Sequence, residues 1–205
     1  MIVAIQMMAV VALVHGIYFA IKRDVAKLGR FAGKFAVGMM LVVGVLYGLF
    51  IGGETFADPG EGNNPWVLTA TWVVPLIVMS LLAWKAPKVA KPILIVFFVA
   101  TAIANLITLF MRDDYMRFFN TEGPWLGVGS FAFTIATTIW GYNNQKLLAG
   151  IMNMTTALLP MLLALSMGEP RAILGAGSSA ALLTPGFIAG LLLVISQRLD
   201  REDIA

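Results

Sequence analysis

Seven apolar stretches, free of aspartate, glutamate, lysine and arginine apart from Lys34 near the start of the second, fill most of this chain. They run near 1–21, 31–52, 66–84, 93–111, 125–142, 147–167 and 172–196. Each is close to the ~20 residues a helix needs to cross the ~30 Å hydrocarbon core of a bilayer. With no water in that core, every backbone N–H and C=O must be paired within the segment, and a helix does this. The expectation is an all-α, polytopic transmembrane bundle of about seven spans, forming a single integral membrane domain over 1–205. The composition agrees: 60% of residues are hydrophobic and 12% charged, against ~25% charged in soluble domains. A soluble body of this size could not hide that much apolar surface beneath a polar skin.

The charges between the stretches set the expected topology. Residues 1–21 carry no basic residue before the apolar run, and Lys22 and Arg23 follow it. A cleaved signal peptide has the opposite order, so this segment reads as a retained first span with its N-terminus outside. On that parse, eleven of the fourteen lysines and arginines fall in inner segments: around Lys22–Lys34, at Lys85, Lys88 and Lys91, at Lys146, and at Arg198 and Arg201. Only Arg112, Arg117 and Arg171 fall outside. A helix count wrong by one would move every later loop to the other side, so the asymmetry also tests the count. The C-terminus is then cytoplasmic. The short basic inner loops and the closing Arg198-Leu199-Asp200-Arg201 have the texture of small bacterial membrane proteins, which places the chain in a bacterial cytoplasmic membrane.

Both longer outer loops end in proline followed by tryptophan, at Pro65-Trp66 and Pro124-Trp125. Proline suits the first turn of a helix, where its missing N–H is not needed. Tryptophan suits the headgroup level. Trp84 and Trp140 read as the inner counterparts.

What the spans lack restricts function. Ion-coupled transporters need a group at membrane depth that binds and releases the coupling ion, and the only titratable side chain of that kind is His15. A lone histidine cannot complete a haem or metal site, and the chain has no cysteine to supply thiolates. No cofactor and no metal are expected. Microbial rhodopsins share the topology, but they carry retinal on a lysine of the last helix, and the last span has no lysine. The other strongly polar residues at depth are Gln6, Asn105 and Asn153; with Thr108 and His15 they are the candidates for a weakly polar pathway or ligand contact. Bundle packing explains them more simply, because a polar side chain in lipid must face protein.

Gly44, Gly48 and Gly52 recur every fourth residue in the second stretch. Such a stripe lets another helix backbone approach closely, so all three are expected at a helix–helix contact. The inner cluster Lys22, Arg23, Lys27, Arg30 and Lys34 is expected to lie on the anionic inner leaflet, each charge contributing about 1 kcal/mol. Membrane lipids are therefore expected partners, other membrane subunits or a second copy are possible ones, and nucleic acid is not. The functional expectation is a non-catalytic accessory or assembly subunit of a larger membrane complex. The alternative is a passive channel or facilitator for a small solute.

Overall fold

The computed structural model describes residues 14–15, 17–18, 25–57, 64–110, 123–167 and 170–202. Every long element among them is an α-helix: α1 Val25–Ala57, α2 Pro65–Lys85, α3 Pro87–Phe110, α4 Gly123–Asn143, α5 Lys146–Met167 and α6 Pro170–Glu202. Of the expected first span, Val14, His15, Ile17 and Tyr18 are described, and they are helical. Among the described residues, three stretches are long and apolar enough to cross a membrane: Lys27–Leu46, Pro65–Lys85 and Pro87–Ala104. Lys146–Leu159 is apolar but shorter.

The turns are tighter, and the helices longer, than the apolar stretches suggest. The basic segment at 85–92 reads as a loop, yet Ala86 alone separates α2 from α3, and Pro92 lies inside α3. Pro87 opens α3, where its missing N–H costs nothing. The 33 residues of α1 and of α6 extend roughly 50 Å at 1.5 Å per residue, well beyond a hydrocarbon core. Lys27 and Arg30, outside the expected second stretch, are therefore on helix with Lys34, not in a loop. Hydropathy marks what lipid accepts, whereas backbone hydrogen bonding carries a helix on into the polar layer. The expected start at Pro65 holds: the Asn64 side-chain oxygen accepts from the Trp66 N–H at 2.9 Å, capping α2 with proline in its first turn. Pro124 likewise lies in the first turn of α4.

Helix α4 is the axis of the bundle, in contact with each of the other five long helices. From Phe131 to Gly141 every residue is buried. Around it, α5 packs most extensively on α6, and α6 on α1. Helices α2 and α3 are peripheral, with only 6% and 11% of their apolar windows buried. Phe133 on α4 anchors α3 by stacking on Phe97 at 5.1 Å between ring centroids.

Small residues permit the close packing. Ala36, Ala83, Ala90, Ala136, Ala149 and Ala189 are all in the core. A methyl group added to Gly150 would lie 2.7 Å from the Gly190 carbonyl oxygen, and one on Gly190 would lie 2.7 Å from the Gly150 carbonyl. Two backbones therefore touch where α5 crosses α6. Gly186, one turn before Gly190, lies against Thr134 of α4. Close van der Waals contact between backbones at such a crossing contributes to the cohesion of the pair.

The stripe at Gly44, Gly48 and Gly52 behaves differently. A methyl group on Gly44 would meet the Ile135 side chain at 2.8 Å. At Gly48 no tight contact is found among the described residues: a methyl group there would meet none of their atoms within 4 Å. Helices α1 and α2 stand apart at this level, and Gly48 lines the groove between them. The surroundings of Gly52 lie outside the described side chains.

One end of the bundle gathers the basic segments. The Trp140 indole donates to the Pro87 carbonyl at 3.1 Å, tying α4 to the α2–α3 turn. Lys146 at the start of α5 pairs with Asp200 near the end of α6, and Gly29 of α1 lies against Leu199 and Asp200. Lys27 to Lys34, Lys85 to Lys91, Lys146 and Arg198 therefore share an end. Trp140 itself is 2% exposed; it is a buried clamp, not the headgroup anchor its position suggests. Trp84 is 59% exposed at the same end, as an interfacial residue would be.

Candidate functional site

Two features of the bundle could carry function: a buried polar seam in its middle, and a groove on its side. The seam lies between α4, α5 and α6. Thr134, Thr137, Thr138 and Asn153 are all fully buried. The Thr134 hydroxyl donates to the Phe131 carbonyl at 2.8 Å, and that of Thr138 to the Thr134 carbonyl at 2.7 Å. Both satisfy themselves on their own helix, as threonines at depth often do. The Asn153 amide crosses from α5 to α4, donating to Thr138 Oγ1 at 2.8 Å and, at 3.4 Å, to the Thr134 carbonyl. Gly190 leaves room for it, since a methyl group there would lie 3.1 Å from Asn153 Cβ. Asn153 Oδ1, Thr137 Oγ1 and Thr156 Oγ1 have no hydrogen-bond partner among the described residues. The seam offers amide and hydroxyl dipoles only. It can hold helices in register or accept a hydrogen bond, and among the described residues it contains no acidic or basic side chain.

The groove runs along the bundle surface between α1 and α2, with α4 as its floor. Two adjoining cavities of about 500 and 460 Å³ share Leu41, Ser80 and Leu81 and together form it. Its polar groups are few: Ser80 part-way along, and Tyr142 and Asn143 at the basic end.

No family model, no curated protein and no solved structure matches this chain. The reading of the site therefore rests on its geometry.

Of the expected polar residues, His15 and Asn153 have described side chains, and these two lie apart. Asn153 is buried in the seam. His15 is exposed, and its ring stacks on Phe31 of α1 at 5.3 Å, so it does not point into the seam. Asn105 and Thr108 lie on α3, with side chains outside those described. Gln6 is also outside the described residues. No cluster of three or more metal-ligating side chains occurs among the described residues. Two features went unread in the sequence. One is the Gly186–Gly190 pair, visible as the same four-residue spacing that marks Gly44 and Gly48. The other is the ion pair at the basic end, where Lys146 also donates to Ser196 Oγ at 3.0 Å; it joins residues some fifty positions apart, a distance at which the sequence has no local signal.

That pair closes the α5–α6 hairpin. We expect Lys146→Met to destabilise the bundle by about 1–2 kcal/mol, because it removes a charged donor from two partners. Lys88→Met, at an exposed position, should stay within about 0.5 kcal/mol. Thermal denaturation of the two variants in the same detergent checks this, and equal midpoints would contradict it.

Proposed function

We propose that this chain is a non-catalytic component of a larger membrane assembly. In this reading it has seven spans in a bacterial cytoplasmic membrane, with its N-terminus outside and its C-terminus inside. The observation that carries the reading is the contrast between α4 and the α2–α3 pair. The middle of α4 is enclosed on all faces, and its polar side chains are occupied largely with neighbouring helices and their own backbone. That arrangement favours packing over conduction. Helices α2 and α3 instead have few fully buried residues in their apolar windows and leave one apolar face of each exposed, which suits contact with lipid and with the helices of other subunits. Passive passage of a small solute is the second reading, and the three seam oxygens without a hydrogen-bond partner among the described residues are what favour it.

Two measurements test these proposals. Solubilised gently from its native membrane, the protein should co-purify with other integral membrane chains in fixed ratio. A homogeneous free monomer that accelerates solute leakage from liposomes would instead favour the second reading. For topology, reporter fusions at Ala205 and at Lys88 should both score cytoplasmic, since both lie in basic-rich inner segments. A periplasmic signal at either site would sink the seven-span parse.

A further inference from the structure

We propose that the groove between α1 and α2 seats an acyl chain of an anionic phospholipid, with the headgroup held at its basic mouth by Lys34 and Lys85. This rests on the membrane reading above and specifies a ligand for one face of the bundle. The groove's length fits. It follows α1 from Val37 to Leu49, twelve residues or roughly 18 Å of helix at 1.5 Å each. One leaflet contributes about half of a ~30 Å hydrocarbon core. The wall chemistry fits as well: Leu41, Val45, Val73 and Ile77 are apolar, and Gly48 has no side chain to fill the space.

The polarity is one-ended. Trp84, Tyr142 and Asn143 line the end nearest the lysines. Lys34 precedes Val37 by three residues and Leu41 by seven, so helical spacing puts it on the groove face of α1, where it is exposed. Across the mouth, Lys85 Nζ lies 4.1 Å from the Trp84 ring centroid. Among the described residues that line the groove, none is acidic. A slot that is apolar along its length and basic at one end complements an anionic amphiphile. A helix from another chain, apolar throughout, would leave the two lysines without a counter-charge.

The test uses the full chain, purified in detergent and reconstituted in vesicles of phosphatidylcholine containing a minor fraction of phosphatidylglycerol. Lipid retained on re-solubilisation is counted by native mass spectrometry. The wild type should retain phosphatidylglycerol over phosphatidylcholine. Lys34→Gln with Lys85→Gln should lower that preference by roughly thirtyfold, given the contribution of two lysines at headgroup level. Lys88→Gln with Arg198→Gln removes the same charge from α3 and α6, which do not line the groove, and should leave the preference largely intact. Leu81→Trp, which fills the slot without touching charge, should abolish retention of either lipid. Equal retention of both lipids by the wild type would overturn the proposal. So would retention that survives Leu81→Trp, because the lipid would then lie on the basic surface rather than in the groove. A photo-reactive residue at Ser80 that labels protein instead of lipid would assign the groove to a helix. Any of these failures leaves co-purification of partner subunits, and hence the assembly reading, to stand or fall separately.

Discussion

Gly190→Leu should yield little or no folded protein, while Gly48→Leu should fold and melt close to the wild type. At Gly190 a side chain would be driven into the Gly150 carbonyl, Met154 and Asn153. Two of those three obstacles cannot swing aside: one is backbone and one is a Cβ. Overpacking a well-filled core costs about 1–3 kcal/mol even where side chains can adjust, and a backbone contact leaves less room for adjustment. The helices joined there, α5 and α6, form the most extensive pairing in the bundle, so separating them leaves no alternative packing of similar extent. At Gly48 the added group enters the α1–α2 groove and meets no atom of the described residues within 4 Å at its Cβ. The two variants make the same chemical change at glycines of the same spacing class. Size-exclusion profiles and melting midpoints, compared side by side, decide the matter. A collapsed Gly48→Leu beside a stable Gly190→Leu would reverse the assignment of which stripe holds the fold together.

The second large effect is expected at Asn153. Asn153→Asp removes the donor that reaches Thr138 and sets a carboxylate in the enclosed centre of the bundle. Insertion scales put an acidic residue at the middle of a spanning helix at about 2.5–3.5 kcal/mol, and the lost hydrogen bonds add to that. Asn153→Leu removes the same donor without a charge; interhelical polar contacts of this kind average about 0.6 kcal/mol, with a maximum near 1.7. The aspartate variant should therefore be several-fold more damaging than the leucine variant in a denaturation series. The pair also separates the two functional readings. If Asn153 holds helices together, neither variant changes solute flux into liposomes beyond that of protein-free vesicles. Were it part of a pathway, a carboxylate there would raise cation flux, and leucine would lower whatever flux the wild type has.

The helical segments described, the proline-marked starts of α2 and α4, and the inward placement of Asn153 are legible in the amino-acid sequence alone. Each follows from a local rule: apolar length, proline in a first turn, or the cost of an amide in lipid. The clustering of basic residues at one end follows from charge counting. What the sequence does not reveal is which apolar helix lies inside. Helix α2 is nearly pure apolar sequence and is the most exposed to its surroundings of the three span-length stretches. Helix α4 carries Thr134, Thr137 and Thr138 and is enclosed by every neighbour. A soluble protein would rank them the other way. In a bilayer, lipid tails are as apolar as leucine, so burial is won by close fit and hydrogen bonding rather than by hydrophobicity. The same logic applies to the glycines. Four-residue spacing puts Gly44 and Gly48 on one face and Gly186 and Gly190 on another, but it does not bring a second backbone to either. Only the tertiary arrangement decides that α5 closes on Gly190 while α2 stands away from Gly48. It likewise sets Trp140 beneath the α2–α3 turn and brings Lys146 to Asp200, because those contacts depend on where the helices end in space, which no single segment encodes.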